Sequence, residues 1–516
     1  MSEKPIWPRQ CLPEDVRAAR IIQDLGETSK SLFSPPYSPL PVEIEVAEVT
    51  SKGTEDSFLD TEAALREHLS IHHTPIPHQN RTPWRSSFFL LEPAYSWSHL
   101  PITQDGMLSL LTALDVFPNI HRSLTAFGRK SFPKDEGFAG FDSATTLDRV
   151  GTWTSFGNAT YPIYSHKLDI DIECCGLESC YLLKYVGKRD DATPGTNPWS
   201  IRHALIYQKV SREATRVSHI LIRVPENVKQ QLGSHLLRDD GRVMEFAQDW
   251  THIHVTCFSS VDHDLREFIN YLDEEITKVF ERVIMSGLSP TELNEFDSVQ
   301  RSTKDFKTLQ YLSDQARRLI NAITLNMETI KYFQKQIDHL KSLGSWVSAR
   351  PDSLESLSRV LDRTQQEHHF SLKNASAVLE RAKATSEQLR DAATLRNSEI
   401  SKVNAEMANQ NTLAIARLSE RSEREALVVK TLTVLALVFV PAGFVADFLQ
   451  MGYITISQED PMRLSATADL KIYAALAIPL IGVTMLIYGI IEMMQKIRAR
   501  EGRKQTIAQS VKQGKT

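Results

Sequence analysis

A single carboxylate, Asp447, lies in the apolar stretch FVPAGFVADFLQMGYI at residues 439–454. Counted backwards from it in steps of 4, 3, 4, 3 and 4, the residues on the same helix face are small, polar or β-branched: Gly443, Val440, Ala436, Thr433 and Val429. Two structures fit such a stripe. In the first, it is a close seam between membrane helices. In the second, several copies place the stripe around a shared axis, where it lines a pore whose ring of acids concentrates cations. The spacing alone favours neither.

Two groups of acidic residues elsewhere have the chemistry of a regulatory site for a divalent cation. In KLDIDIECC, Asp169, Asp171 and Glu173 alternate with apolar residues, as on the solvated face of a strand. Asp262 and Asp264 lie near the start of a helical region. The simpler interpretation of each group is a charged face in water. Both interpretations stay open at this point.

Histidines are concentrated at two further places. REHLSIHHTPIPH could present His68 and His72 on one helix face as metal ligands. No cysteine or acid completes a tetrahedral set there, and the prolines predict a surface turn. The stretch THIHVTCF predicts a strand with His252, His254 and Thr256 on one half-exposed face.

The composition excludes several classes of function. The chain has 59 basic and 64 acidic side chains, a balance that does not predict nucleic-acid binding. It contains no Gly-rich phosphate loop, no GxSxG and no HExxH. We therefore expect a protein that is not an enzyme, with no covalent chemistry and no use of ATP.

Two apolar segments near the C-terminal end are long enough to cross a membrane. Residues 431–449 form a run of 19 with one charge, and residues 472–491 a run of 20 with none, where a spanning helix needs about 20. The alternative is a buried hairpin in a soluble core. Because charged residues flank both runs, we predict a multi-pass membrane protein with a two-span hairpin.

The basic residues beside these spans predict their orientation. Residues 417–430 contain four, and the tail that follows the second span contains seven, whereas the loop between the spans contains only Arg463 and Lys471. The positive-inside rule therefore places both termini in the cytosol, or in the matrix of an organelle, and the acidic loop on the far side.

The fold class predicted from these patterns is α+β. It consists of an N-terminal α/β cytosolic domain, a long helical stalk and two C-terminal transmembrane helices. The predicted segments, in chain order, are a Pro-rich and loosely ordered arm with one edge strand (1–65), the α/β domain (66–260), a helical region (261–350), the stalk helix (352–430), the first span (431–449), an acidic loop (450–471), the second span (472–491) and a basic tail (492–516).

The stalk is predicted to be continuous with the first span. Residues 352–440 contain neither Gly nor Pro, so one helix there would be about 130 Å long. A break near residues 363–369 would shorten it. The stalk is rich in Ala, Ser, Asn and Gln, which favours coiled-coil packing with a partly wet seam over a dry leucine zipper.

The spans resemble those of the CorA family of divalent-cation channels. That family has a segment like F-L-P-L-T-F-I-A-G-I-Y that ends in a Gly-Met-Asn motif; here residues 439–449 read FVPAGFVADFL and are followed by Gln450, Met451 and Gly452. The resemblance is strong over about residues 420–495 and architectural over 85–345. The soluble part is most similar to divergent fungal CorA-like proteins.

The resemblance implies a homo-oligomer, a pentamer, in a lipid bilayer, with a pore for Mg²⁺ or a related divalent cation lined by the first span. It also implies regulatory divalent sites between subunits. By position, Val440, Gly443, Asp447 and Gly452 would face the pore, and Gln450 and Met451 would shape its mouth.

One departure from the family leaves a second function open. The family's motif holds the hydrated cation with an Asn side chain, and Gly452 stands at that position. A ring of Asp447 carboxylates one turn deeper could replace it. The alternative is a CorA-derived membrane scaffold or sensor that has lost conduction. Which ion, which membrane and which cytosolic ligand are involved does not follow from the sequence.

Overall fold

The computed structural model describes residues 7–8, 16–72, 84–95, 97–130, 137–145, 152–155, 159–162, 176–189, 192–193, 195–211, 216–236, 242–286, 295–343, 351–450 and 468–513. The chain divides into two compact units, Met1–Thr394 and Leu395–Thr516. The first unit holds a mixed sheet with helices, and the second is helical.

The strands of the first unit belong to one seven-stranded sheet and one separate hairpin. In the described residues the sheet has the order β2-β1-β3-β9-β8-β7-β4, and β5 pairs with β6. Neighbours are antiparallel except β3 and β9, which are parallel. The strands are β1 (Ile44–Thr50), β2 (Gly53–Leu59), β3 (Arg85–Leu91), β4 (Phe141–Thr145), β5 (Thr152–Ser155), β6 (Ala159–Pro162), β7 (Gly176–Lys188), β8 (Trp199–Ser211) and β9 (Arg216–Ile222).

Helices cover both faces of this sheet. The helices are α1 (Val16–Leu32), α2 (Glu62–His72), α3 (Gln104–Ala113), α4 (Ile120–Leu124), α5 (Glu226–Leu236), α6 (Arg242–Gln248), α7 (Thr251–Ser260), α8 (Leu265–Ser286), α9 (Glu295–Leu343), α10 (Pro351–Gln450) and α11 (Ala468–Gln513). One apolar core joins α1–α4 to one face through residues such as Leu182 and Tyr207. Another joins α5–α7, α9 and the start of α10 to the opposite face through Tyr181 and Leu221. This is why β7 is buried almost continuously rather than in alternation.

Residues 16–59 depart from the prediction of a loosely ordered arm. They form α1, β1 and β2, and only β2 is an edge strand, because β1 lies between β2 and β3. The physical reason is the apolar content of IEVAEVT, which buries Ile44, Val46 and Val49. The prolines at 35, 36, 39 and 41 lie in the turn that precedes β1.

The strand predicted at THIHVTCF is wrong, since this stretch is helix α7. Its large buried side chains follow a helical spacing rather than alternation: Ile253, His254, Cys257 and Phe258. Val261, directly after the helix, continues this spacing. The β-branched and histidine content of the stretch is typical of a strand, but packing of one helix face on the sheet overrides that local preference.

Helix α10 is continuous for 100 residues and has no break at residues 363–369. The polar residues that suggested a break are buried and have partners. The Thr364 hydroxyl donates to the Phe258 carbonyl oxygen at 3.1 Å, and His368 Nδ1 lies 2.7 Å from Asp262 Oδ1. The first part of α10 packs with α8 and α9 around a third apolar cluster that includes Leu272, Leu319 and Ala382.

A buried chain of hydrogen bonds connects the sheet to α7. His219 Nδ1 lies 3.2 Å from the Ser87 carbonyl oxygen, and its Nε2 lies 3.0 Å from Gln208 Nε2. His254 Nε2 lies 2.9 Å from Gln208 Oε1, and its Nδ1 lies 2.7 Å from the Tyr181 hydroxyl. Every group has a donor facing an acceptor when both imidazoles are neutral. A proton on His219 Nε2 would face the amide N–H group of Gln208.

We expect the free energy of unfolding to fall as the pH is lowered from 6.5. Burial lowers the pKa of His219 and of His254 from 6.5 to about 3, so in this range the unfolded chain binds more protons than the folded chain. Each histidine then lowers the stability by up to about 1.4 kcal/mol per pH unit. Thermal unfolding of the detergent-solubilised protein between pH 7 and pH 5, followed by tryptophan fluorescence, measures this slope.

The comparison between two variants isolates the buried histidines. His254→Gln should flatten the pH dependence, whereas His263→Gln, in a side chain that is 71% exposed, should leave it unchanged. Burial raises the pKa of Glu178, which contributes a slope of opposite sign in both variants and cancels between them. Equal slopes for His254→Gln and the wild type would contradict the assignment.

Candidate functional site

The two predicted spans lie in α10 and α11, and neither is the core of a soluble domain. The candidate spans have mean hydropathies of 2.1 and 2.3, yet only 11% and 6% of their most apolar windows are buried within the chain. A soluble hairpin would bury its apolar residues, so these exposed segments fit a membrane, as the sequence predicts. Pro441 lies inside α10 and Pro479 inside α11, which spanning helices tolerate.

An ion pair joins the start of the first span to the end of the second. Lys430 Nζ lies 2.7 Å from Glu492 Oε1, and Lys496 Nζ lies 3.1 Å from the same oxygen. The two spans are therefore antiparallel, and these residues stand at one level. Sequence reasoning did not identify this pair, although opposite charges directly flanking two spans are a usable signal for it.

Each span has one covered face. The buried or half-buried residues follow helical steps of three and four, and they are Val434, Leu437, Val438, Pro441, Ala442 and Val445 in α10, and Ala474, Ala477, Ile481, Thr484, Tyr488 and Glu492 in α11. Glu492, which pairs with α10, belongs to the second set. We infer that these two covered faces form the seam of the hairpin, with the Lys430–Glu492 pair at one end of it.

The stripe that contains Asp447 lies on a different face of α10. All six of its residues are exposed: Val429, Thr433, Ala436, Val440, Gly443 and Asp447. At 100° per residue, the stripe is centred roughly 150° around the helix from the covered face. The stripe is therefore not the seam of its own hairpin, and it is available to another copy of the chain or to a pore.

The stripe has only limited hydrogen-bonding capacity of its own. The Thr433 hydroxyl donates to the Val429 carbonyl oxygen at 2.7 Å, and Gly443 has open space where a Cβ atom would lie. Asp447 is thus the charged group on an otherwise apolar and small surface. A carboxylate at that position can attract a cation to one end of the span.

At the same spacing the stripe continues into the stalk part of α10. The positions are Glu425, Ser422, Leu418, Ala414, Asn411, Met407 and Val403, and all are exposed. Leu418, Met407 and Val403 are each more than half exposed. Every residue from 401 to 430 is exposed, and Leu413 and Leu427, which lie outside the stripe, are also more than half exposed. The exposed apolar residues of the stalk require a partner to cover them, but they do not single out one face.

The structure describes part of the predicted pore mouth. Gln450 is the last residue of α10 and is exposed. Met451 and Gly452 lie outside the described residues, as do most of the acidic loop and the acids Asp169, Asp171 and Glu173.

Asp262 and Asp264 are not brought together with further metal ligands. Asp262 contacts the buried ring of His368 in α10, whose Nε2 lies 3.0 Å from Asn326 Nδ2 of α9. Asp264 lies 3.9 Å from His263. Within the part of the chain that the structure describes, no group of three or more His, Cys, Asp or Glu side chains could hold a metal. The contact of Asp262 therefore serves to attach α10 to the segment before α8.

The histidine candidates have structural partners where they are described. His68 Nε2 lies 3.2 Å from Oε1 of Glu48, a buried carboxylate that also binds Arg85. The side chain of His72 lies outside the described residues. His254 is completely buried in the network with Tyr181.

The family comparison concerns the N-terminal unit. The family model of the CorA-like transporters matches residues 6–284, more than half of the 516-residue chain. No curated protein matches the chain. The family match lies outside the spans in which the sequence resemblance is strongest.

Three solved structures are similar to the chain at low identity. The full-length CmaX protein is 10% identical with a TM-score of 0.38, and the match covers 88% of this chain and 99% of that one. The ZntB cytoplasmic domain from Vibrio parahaemolyticus RIMD 2210633 is 11% identical, with a TM-score of 0.31 and coverages of 67% and 99%. The CorA magnesium transporter from Methanocaldococcus jannaschii is 8% identical, with a TM-score of 0.30 and coverages of 86% and 97%.

The family match agrees with the architecture, an N-terminal sheet domain followed by long helices and two apolar helical segments. The predicted resemblance is thereby confirmed at the level of the family, and the chain is a membrane protein that belongs to the CorA-like transporters.

Proposed function

We propose that this protein is a homo-oligomeric channel for divalent cations, Mg²⁺ or a related ion, with a pore lined by the first span. The observation that carries the proposal is the exposed stripe from Val429 to Asp447, which is turned away from the seam of its own hairpin. By analogy with the family, five copies would place the stripes around one axis. The exposed apolar residues of the stalk, such as Val403 and Leu418, support an assembly of several copies.

In this assembly the residues of the stripe have distinct roles. A ring of Asp447 carboxylates would attract and partly neutralise a hard cation that keeps its water shell. Gly443 and Val440 would set the width of the pore below it. Gln450, Met451 and Gly452 would shape the mouth. The ion would move down its electrochemical gradient, without covalent chemistry and without ATP.

The orientation and the regulation are further parts of the proposal. The basic residues beside the spans support termini on the cytosolic or matrix side. A regulatory divalent cation would bind Asp169, Asp171 and Glu173, or Asp264, between subunits. The Asp262–His368 contact gives such a change near α8 a direct route to α10.

A second function is favoured by one observation, which is glycine at position 452. Without the Asn side chain that binds the ion in the family, the assembly would remain while conduction is lost. The protein would then be a membrane scaffold or sensor with the same oligomeric architecture.

Two measurements on the purified protein separate these functions. Native mass spectrometry gives the number of copies, and a fluorescence assay in liposomes under an inside-negative potential measures the flux of Mg²⁺, Co²⁺, Ni²⁺ and Zn²⁺. We expect an oligomer that conducts at least one of these ions once divalent cations are removed from the stalk side. An oligomer without flux would support the scaffold, and a monomer would contradict both functions.

A further inference from the structure

An open groove of about 510 Å³ runs along α10 at the end of the first span nearest the stalk. Its walls are mainly large apolar side chains, together with one hydroxyl and one amine: Leu427, Val434, Leu435, Val438, Phe439, Thr431 and Lys430. The apolar residues extend into the span, whereas Lys430 precedes it. An elongated apolar surface with a cation at the membrane boundary matches the two chemical parts of a phospholipid.

The groove lies on the side of α10 opposite the stripe of Asp447 and borders the hairpin seam, to which two of its walls, Val434 and Val438, also belong. At 100° per residue, the centres of the two sets are about 180° apart around the helix. If the stripes face a common axis, the groove faces outwards. A neighbouring stripe therefore cannot fill it, and the surrounding bilayer can.

Positive charge is concentrated where the groove meets the membrane surface. Lys430 and Lys496 both contact Glu492, at 2.7 and 3.1 Å, which leaves one net positive charge on the three side chains. Half of the Lys430 side chain remains exposed. Helix α11 then continues without interruption to Gln513, through a sequence that contains Arg498, Arg500, Arg503 and Lys504 but only one acid, Glu501.

We propose that this groove binds an anionic phospholipid of the leaflet next to the stalk. An acyl chain lies against Leu435 and Phe439, which are 55% and 65% exposed, and the headgroup phosphate binds Lys430 and Lys496. Because α11 leaves the membrane at this level as one helix, its basic residues begin at the headgroups and strengthen the preference for negative charge. This inference rests on the proposed membrane topology and stripe orientation, and does not require that the protein conducts.

Native mass spectrometry of the detergent-purified oligomer tests the proposal. The protein is incubated with equal amounts of phosphatidylglycerol and phosphatidylcholine that carry identical acyl chains, and the ratio of the two bound lipids is measured. We expect Lys430→Gln to lower the preference for phosphatidylglycerol by about fivefold, since one lysine near a membrane surface contributes about 1 kcal/mol. Glu492→Gln should raise the preference by a similar factor, because it leaves both lysines uncompensated.

Matched variants distinguish lipid binding from a structural role of the ion pair. Lys430→Arg should retain the preference. Leu435→Trp should reduce the number of bound lipids of both kinds, whereas Leu432→Trp, a substitution to the same residue outside the groove, should not. If the Lys430–Glu492 pair only stabilised the hairpin, Lys430→Gln and Glu492→Gln would change the preference for phosphatidylglycerol in the same direction. That result would overturn the proposal.

Two other outcomes would also overturn it. No preference for phosphatidylglycerol in the wild type would exclude an anionic headgroup, and a change of oligomeric mass with Leu435→Trp would identify the groove as a contact between copies. Ion flux is measured separately on the same variants. Lipid binding without flux would contradict the channel alone, whereas flux without selective lipid binding would contradict the groove alone.

Discussion

Replacing Asp447 with alanine is expected to lower divalent-cation flux by about tenfold or more. Two unit charges 4 Å apart interact with about 4 kcal/mol at an effective dielectric constant near 20, and 1.4 kcal/mol corresponds to roughly a factor of ten. A hydrated ion lies farther from each carboxylate but interacts with several of them at once. Removing all of these carboxylates therefore costs more than 1.4 kcal/mol of interaction free energy, about the factor of ten expected in flux. The measurement is the initial rate of Mg²⁺ entry into liposomes with equal amounts of reconstituted oligomer.

Two conservative variants at the same position test whether charge is the cause. Asp447→Glu keeps the carboxylate and should retain most of the flux, whereas Asp447→Asn keeps the shape and should behave like alanine. A loss that is equal in all three variants would indicate a packing defect instead of an ion site. Unchanged flux in Asp447→Ala would contradict the acid ring and place the site elsewhere, with Gln450 as the next oxygen donor along the helix.

Replacing Phe333 with alanine is expected to lower the free energy of unfolding by about 3–5 kcal/mol, the usual cost of removing a buried phenylalanine ring. Phe333 of α9 is 1% exposed. Its ring centroid lies 5.3 Å from that of Phe141, 5.5 Å from that of Tyr181, 5.6 Å from that of Phe258 and 4.8 Å from that of His254. The ring therefore attaches helix α9 to the sheet and to α7 at one point.

Thermal unfolding of the solubilised protein, followed by near-ultraviolet circular dichroism, measures this effect. The matched control is Phe306→Ala on the same helix, since Phe306 is 46% exposed and should cost less than about 0.5 kcal/mol. Phe333→Leu keeps most of the apolar volume and should cost less than Phe333→Ala. If Phe333→Ala and Phe306→Ala unfold at the same temperature, the aromatic cluster is not what holds α9 to the sheet.

The helical half of the molecule could be predicted well from sequence because its signals are local. Hydropathy alone identifies both spans, and the absence of Gly and Pro from residues 352–440 predicts α10. The steps from Val429 to Asp447 also define a helix face by their spacing alone. Periodicity does not show whether that face is turned towards the second span or away from it. The covered residues around Pro441 and the Lys430–Glu492 pair are required to show that the hairpin seam lies elsewhere.

The N-terminal unit was harder to predict because its signals are non-local. Helix α7 has a composition typical of a strand, and its helical state depends on packing against Tyr181 and Phe333 from distant elements. Strand β1 follows a Pro-rich segment and is held in place by pairing with β3. Nothing in the sequence near Asp262 indicates its contact with His368, which lies more than a hundred residues later in the chain.

Helix α10 imposes a rule on how the length of this chain can change. The exposed face from Val403 to Asp447 is kept in phase by an uninterrupted succession of three- and four-residue steps. One inserted residue within this stretch would rotate everything beyond it by about 100°, which would turn Asp447 out of line with Val403. Insertions of 7 or 11 residues each come within about 20° of whole turns. Between these two residues, an insertion or deletion of 7 or 11 residues therefore keeps Asp447 nearly in line with Val403, whereas a change of a single residue does not.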